Sequence, residues 1–105
     1  MNPGPGEVWL ADLGLAAKTR PVVILSRKDH SAPRALVVYV PLTTQDRGRE
    51  YEVRMPPLSF LHQAGVANIQ GIGSLPTVRL IRKLGELPDN ALGEIKDAVR
   101  FTLEL

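Results

Sequence analysis

The chain has 105 residues, no cysteine, 44% hydrophobic residues, and a net charge of only +2 from 13 basic and 11 acidic side chains. That length holds one core and no second module, so a single domain over 1–105 is expected, and the apolar content is that of a folded protein. The lack of cysteine excludes disulfides, thiolate metal sites and a thiol nucleophile and fits a cytoplasmic address, and no apolar run reaches the ~18 residues that a membrane span requires.

Residues 1–6, Met-Asn-Pro-Gly-Pro-Gly, have neither the basic start nor the apolar stretch of a signal peptide and read as a flexible arm. Val8–Leu13 is the first predicted strand. Pro21–Ser26 and Ala35–Leu42 follow as strands rich in β-branched residues, separated by the polar connection 27–34. Neither run alternates with polar residues, which predicts burial on both faces and leaves chemistry to the strand ends. Glu50–Met55 alternates, with Tyr51, Val53 and Met55 on one face and Glu50, Glu52 and Arg54 on the other, as in a strand with one wet side.

Pro56-Pro57 must end that strand, because proline donates nothing to a ladder and restricts the residue before it. Leu58–Ala64 then predicts one or two helical turns closed by Gly65. Val66–Ile69 and Val78–Ile81 read as short strands around a linker over 70–76. Asp89 or Asn90 caps a last helix whose apolar stripe is Ala91, Leu92, Ile95, Ala98, Val99 and Leu103. Short strands ending in a helix predict a small antiparallel barrel or strongly curved sheet with appended helices.

The side chains at the strand ends carry the candidate chemistry. Arg20 opens the second strand ahead of Pro21, and a guanidinium keeps its charge and can fork onto phosphate oxygens. An ordinary surface arginine at a strand start would look the same. Thr43, Thr44 and Gln45 follow the third strand with two hydroxyls and an amide. Alternation allows only one threonine to share a face with Arg20.

Five basic residues between Lys18 and Arg34 stand against Asp29 alone, which suits an anionic partner or a solvated loop equally. His30 and His62 lack a carboxylate at motif spacing and are not singled out. No histidine and carboxylate cluster has metal-ligand spacing, so no metal or other cofactor is expected. The Gly71-Ile72-Gly73-Ser74 run lacks the lysine of a phosphate loop. Trp9, Tyr39 and Tyr51 are too scattered for a stacking platform, and Trp9 is assigned to the core.

The order of these segments resembles the MazF/PemK-type toxins, the ribonuclease halves of bacterial toxin–antitoxin pairs. The resemblance runs through Gly6-Glu7-Val8-Trp9-Leu10-Ala11-Asp12-Leu13, Arg20-Pro21-Val22-Val23-Ile24-Leu25-Ser26 and Val38-Tyr39-Val40-Pro41-Leu42-Thr43-Thr44. It continues through Val78-Arg79-Leu80, Lys83-Leu84-Gly85-Glu86-Leu87 and the last helix. It implies an SH3-like β-barrel with a C-terminal and a short internal helix, assembled as a homodimer whose groove takes single-stranded RNA. It implies metal-independent, sequence-specific cleavage to 2′,3′-cyclic phosphate and 5′-hydroxyl ends, and a cognate antitoxin as inhibitor.

By that resemblance Arg20 and Thr43 are the catalytic residues. Lys18, Thr44, Gln45, Arg47 and Ser74 are candidates for RNA contact, with Arg27 and Lys28 as further phosphate ligands. Two segments depart from the family: the loop 14–19 is short, and Gln70–Ser74 replaces a stretch that often carries an acidic residue and an arginine. The latter removes a proposed base. It keeps open a second reading, a non-catalytic barrel module that binds nucleic acid or a peptide.

Overall fold

The computed structural model describes residues 2–14, 16, 18–63 and 65–105. Met1 of the arm, Leu15 and Ala17 of the short loop, and Ala64 of the expected helical turns lie outside the described residues. The described chain forms β1 (Glu7–Asp12), β2 (Thr19–Ile24), β3 (Leu36–Thr43), β4 (Glu52–Arg54), β5 (Val66–Asn68), β6 (Gly73–Pro76), β7 (Leu80–Glu86) and α1 (Asp89–Leu103).

The strands make one antiparallel sheet in the order β4-β5-β3-β2-β1-β7, with β6 added beside β3. Among the described residues β4 and β7 are not hydrogen-bonded to each other, so the path stays open. Two register shifts in the β1–β7 pair, at Val8/Trp9 and Leu10/Ala11, insert extra β7 residues and increase the local twist.

β3 is the corner of the fold. Along one edge Leu36–Tyr39 pairs with β6 and Leu42–Thr43 pairs with β5, so the strand passes from one part of the sheet to the other. Between β5 and β6 a 3-10 turn over Ile69–Gly71 steps off the edge of β3. The expected linker 70–76 is thus half strand. Its Gly73–Pro76 run escapes a hydrophobicity pattern because only Leu75 is buried.

Two apolar clusters occupy opposite faces. Val8, Val23, Val40, Leu42, Met55, Ala67 and Ile69 pack beneath Ala91, Ile95 and Ala98 of α1. Ala11, Val22, Ile24, Val37, Leu75 and Leu80 form the second, with Trp9, Leu13 and Tyr39 on its border. β2 is buried on both faces as expected. β3 is not: Leu36 and Val38 stay exposed on the face whose later residues, Val40 and Leu42, are buried.

Several local expectations change. Residues 58–61 make a single turn, with Leu61 N–H donating to the Leu58 carbonyl at 3.1 Å, and no helix forms among the described residues there. One turn cannot offset the cost of helix nucleation. The internal helical pieces are instead the 3-10 turns Ile69–Gly71 and Thr77–Arg79, and the second displaces the expected start of the Val78–Ile81 strand to Leu80.

α1 begins after Pro88 with no side-chain cap, so neither Asp89 nor Asn90 serves as one. Asp89 lies inside the first turn, where its charge suits the helix dipole. Leu103, assigned to the apolar stripe, is exposed. At the end of the Pro/Gly arm, Gly6 N–H donates to the Ile24 carbonyl and its own carbonyl accepts from the Leu87 N–H, both at 2.9 Å.

Candidate active site

β2 and β3 pair with Val22 opposite Pro41 and Ile24 opposite Tyr39. Continued two residues beyond these pairs, the same register would bring Arg20 opposite Thr43. Directly opposed residues share a face, so both side chains emerge where the face of the second apolar cluster runs out. By that register Thr43, rather than Thr44, falls on the face of Arg20, although Thr44 borders one cleft with it.

Arg20 and Thr43 are the ridge between two open clefts, since both residues line each of them. The first cleft, about 380 Å³, is bordered by Tyr39, Pro41, Gln45, Arg47, Glu52 and Asn68 beside that pair. The second, about 300 Å³, is bordered by Thr19, Thr44, Leu61, His62 and Gln63. Arg20 is exposed, and among the described residues no carboxylate lies within ion-pair distance of it. A solvated guanidinium without an anion, next to a hydroxyl, is a ready-made seat for a phosphate.

The wall of the first cleft is organised by its own polar groups. Thr43 Oγ1 accepts from the Gln45 N–H at 3.2 Å, which turns the chain sharply after β3 and leaves the hydroxyl proton to donate. Arg47 Nη2 donates to Gln45 Oε1 at 3.0 Å, and the Arg47 N–H donates to Glu52 Oε1 at 2.6 Å. Behind them the hydrogen bond from Arg54, with a second from the Gly48 N–H, holds the Asp46 carboxyl below the usual carboxylate range.

Gly71 forms the floor of this cleft. A Cβ there would lie 2.8 Å from Pro41 Cγ and 3.1 Å from Asn68 Nδ2, so the backbone approaches β3 more closely than any side chain permits. Gly71→Ala is expected to lower the unfolding free energy by about 1–3 kcal/mol through overpacking. Urea denaturation checks this, and unchanged stability would mean that Pro41 and Asn68 give way freely.

Of the residues expected from the sequence, Arg20, Thr43, Thr44, Gln45 and Arg47 border the clefts. Lys18 and Ser74 do not. Lys18 takes a positive φ of 55° in the turn before β2, with its N–H on the Gly14 carbonyl at 3.2 Å, and Ser74 pairs with Val38 on β6. The basic run 18–34 is no single patch, because Arg27 and Arg34 line a separate hollow with Asp29 and His30. Trp9 sits at the border of the second cluster, half-buried, its N–H donating to Glu7 Oε1 at 2.9 Å.

Glu52, Asn68 and His62 were not among the expected site residues. Glu52 read as part of a solvated strand face, and His62 has no local partner that would have marked it. Among the described residues no group of three or more His, Asp or Glu side chains could hold a metal ion, and no helix is long and apolar enough to cross a membrane.

Comparison with known proteins adds four findings. The family described as PemK-like, MazF-like toxin of type II toxin-antitoxin system matches residues 4–103. A protein of Mycobacterium tuberculosis (strain ATCC 25618 / H37Rv) described as probable endoribonuclease MazF5 is 34% identical over 106 residues, covering 97% of this chain and 94% of that protein.

Among solved structures, an endoribonuclease from Mycobacterial species in complex with its cognate antitoxin aligns with a TM-score of 0.85 at 32% identity, over 98% of this chain and 96% of that one. MazF from Deinococcus radiodurans aligns with a TM-score of 0.82 at 26% identity, over 100% of this chain and 99% of that one.

Proposed function

This chain belongs to the PemK-like, MazF-like toxins of type II toxin–antitoxin systems, and on that premise we propose that it is a metal-independent endoribonuclease cutting single-stranded RNA at a short preferred sequence. The observation that carries the reading is that Arg20 and Thr43 together line both of the clefts that meet at the ends of β2 and β3. A phosphodiester on that ridge would leave one cleft for the nucleotide on each side.

The reaction is attack of a ribose 2′-hydroxyl on the adjacent phosphorus, which forms a 2′,3′-cyclic phosphate and releases a 5′-hydroxyl. The nucleophile is internal to the substrate, so positioning contributes much of the rate. Arg20 places a fixed positive charge where the non-bridging oxygens gain charge in the transition state. Thr43 donates its hydroxyl proton to a phosphate oxygen, its own lone pair being engaged by the Gln45 N–H. An alcohol holds its proton at neutral pH, so Thr43 is an orienting donor rather than the base.

Thr44, Gln45 and Arg47 contact the RNA along the two clefts. Lys18 and Ser74 extend the contact where a second copy of the chain continues the groove. The working form is a cytoplasmic homodimer, and a cognate antitoxin inhibits it by covering the groove. This follows the Mycobacterial endoribonuclease relative, solved with its cognate antitoxin.

Purified protein incubated with a long single-stranded RNA in EDTA tests the reading. Discrete cuts bearing 5′-hydroxyl ends are expected, with RNA affinity that falls as salt is raised. Intact RNA that nevertheless binds would establish the non-catalytic module instead, the reading suggested by the missing acidic residue in Gln70–Ser74.

A further inference from the structure

Arg20 and Thr43 stabilise and orient, but neither moves a proton. Building on the ribonuclease reading, we infer that Glu52 is the base that accepts the 2′-hydroxyl proton and His62 the acid that protonates the departing 5′-oxygen.

In-line displacement at phosphorus puts the attacking and leaving oxygens on opposite sides of the phosphoryl group. A phosphate held on the Arg20–Thr43 ridge therefore presents one of these oxygens toward each cleft. The first cleft contains a carboxylate, Glu52, and the second an imidazole, His62. The other ionisable side chains on the two linings are the guanidinium groups of Arg20 and Arg47 and the phenol of Tyr39. Each side of the ridge thus has one carboxylate or imidazole, the side chains that most often serve as general base or acid.

The fold explains how both arrive there. Glu52 is the first residue of β4, opposite Asn68 of β5, and its Oε1 is pinned by the Arg47 N–H at 2.6 Å. Among the described residues no cation lies within ion-pair distance of it, which leaves Oε2 open to accept a proton. The chain then leaves β4 and returns to β5, where Val66 pairs with Thr43. The Met55 N–H closes the base of this excursion on the Gly65 carbonyl at 2.8 Å, and Phe60 rests against Gly85. Glu52 and His62, ten residues apart in sequence, so come to border different clefts on either side of one ridge.

The step balances. Glu52 takes the 2′-hydroxyl proton as the 2′-oxygen–phosphorus bond forms. The phosphorus–5′-oxygen bond breaks, and the imidazolium of His62 gives its proton to that oxygen. One proton has moved onto the carboxylate and one off the imidazolium, and exchange with water restores both.

The test uses an RNA with one preferred cleavage site and the same RNA with sulfur as the 5′-bridging atom. A thiolate departs without a proton, so the sulfur substrate bypasses the acid but still needs the base. Glu52→Gln, whose amide oxygen can still accept from Arg47, should lose about 10²-fold or more on both substrates. His62→Gln should lose a similar factor on the oxygen substrate and come within about 10-fold of the unsubstituted protein on the sulfur one.

Melting temperature and RNA affinity are read for each variant. Glu52→Asp and His62→Ala with added imidazole serve as rescue variants should either substitution disturb the fold. Wild-type rates in either variant, or equal losses for His62→Gln on both substrates, overturn the assignment while leaving the ribonuclease reading intact. An unsubstituted protein that cuts neither substrate overturns both.

Discussion

Arg20→Ala is expected to abolish detectable RNA cleavage, with kcat falling by at least about 10²-fold, the scale set by removing one preorganised charge donor from a transition state. The fold should not change. Arg20 is exposed at the start of β2, and among the described residues it makes no ion pair, so stability should stay within about 0.5 kcal/mol. Arg20→Lys separates charge from geometry: lysine keeps the charge but not the fork, and partial activity is expected. Single-turnover cleavage measured beside thermal melts decides the matter. Full activity in Arg20→Ala would remove Arg20 from the mechanism and, with it, the reason to place the phosphate on this ridge.

The second large effect lies away from the ridge. Gly85→Ala should destabilise the protein by about 1–3 kcal/mol, the range for overpacking. A Cβ at this position would fall 2.3 Å from Phe60 Cδ2 and 2.4 Å from Cε2, far inside contact distance. Gly85 pairs with Val8 at the β1–β7 irregularity, and Phe60 packs from there onto the first apolar cluster. Backbone so held cannot retreat, so the ring must leave.

Phe60→Ala should therefore cost a similar amount. The double variant should cost no more than the worse single one, because the two changes remove the same contact. Additive losses in urea denaturation would show that Gly85 acts through something other than Phe60. Cleavage should fall in Gly85→Ala as well, since Phe60 anchors the connection that carries Leu61, His62 and Gln63 to the second cleft.

Much of the architecture was legible locally. The β-branched runs around Val22 and Val40 and the stripe through Ala91, Ile95 and Ala98 announce their elements because burial imposes a period that a short window reveals. β6 did not, since Gly73, Ser74 and Pro76 carry no such period and become strand only by pairing with the exposed end of β3. The turn at 58–61 failed as a helix for the opposite reason: its apolar residues are spaced for packing onto a sheet that the sequence does not display.

The site divides in the same way. By itself the sequence determined that a permanent cation and a hydroxyl stand at the ends of two apolar strands, because residue type and chain order are enough for that. Only the tertiary structure decided that Arg20 and Thr43 border the same two clefts, and that Gly71 and Gly85 are required by close approach. It alone brought Glu52 and His62 to different clefts beside the same pair. Register, backbone proximity and the meeting of residues far apart in sequence are set by packing across the whole sheet, and no local pattern encodes them.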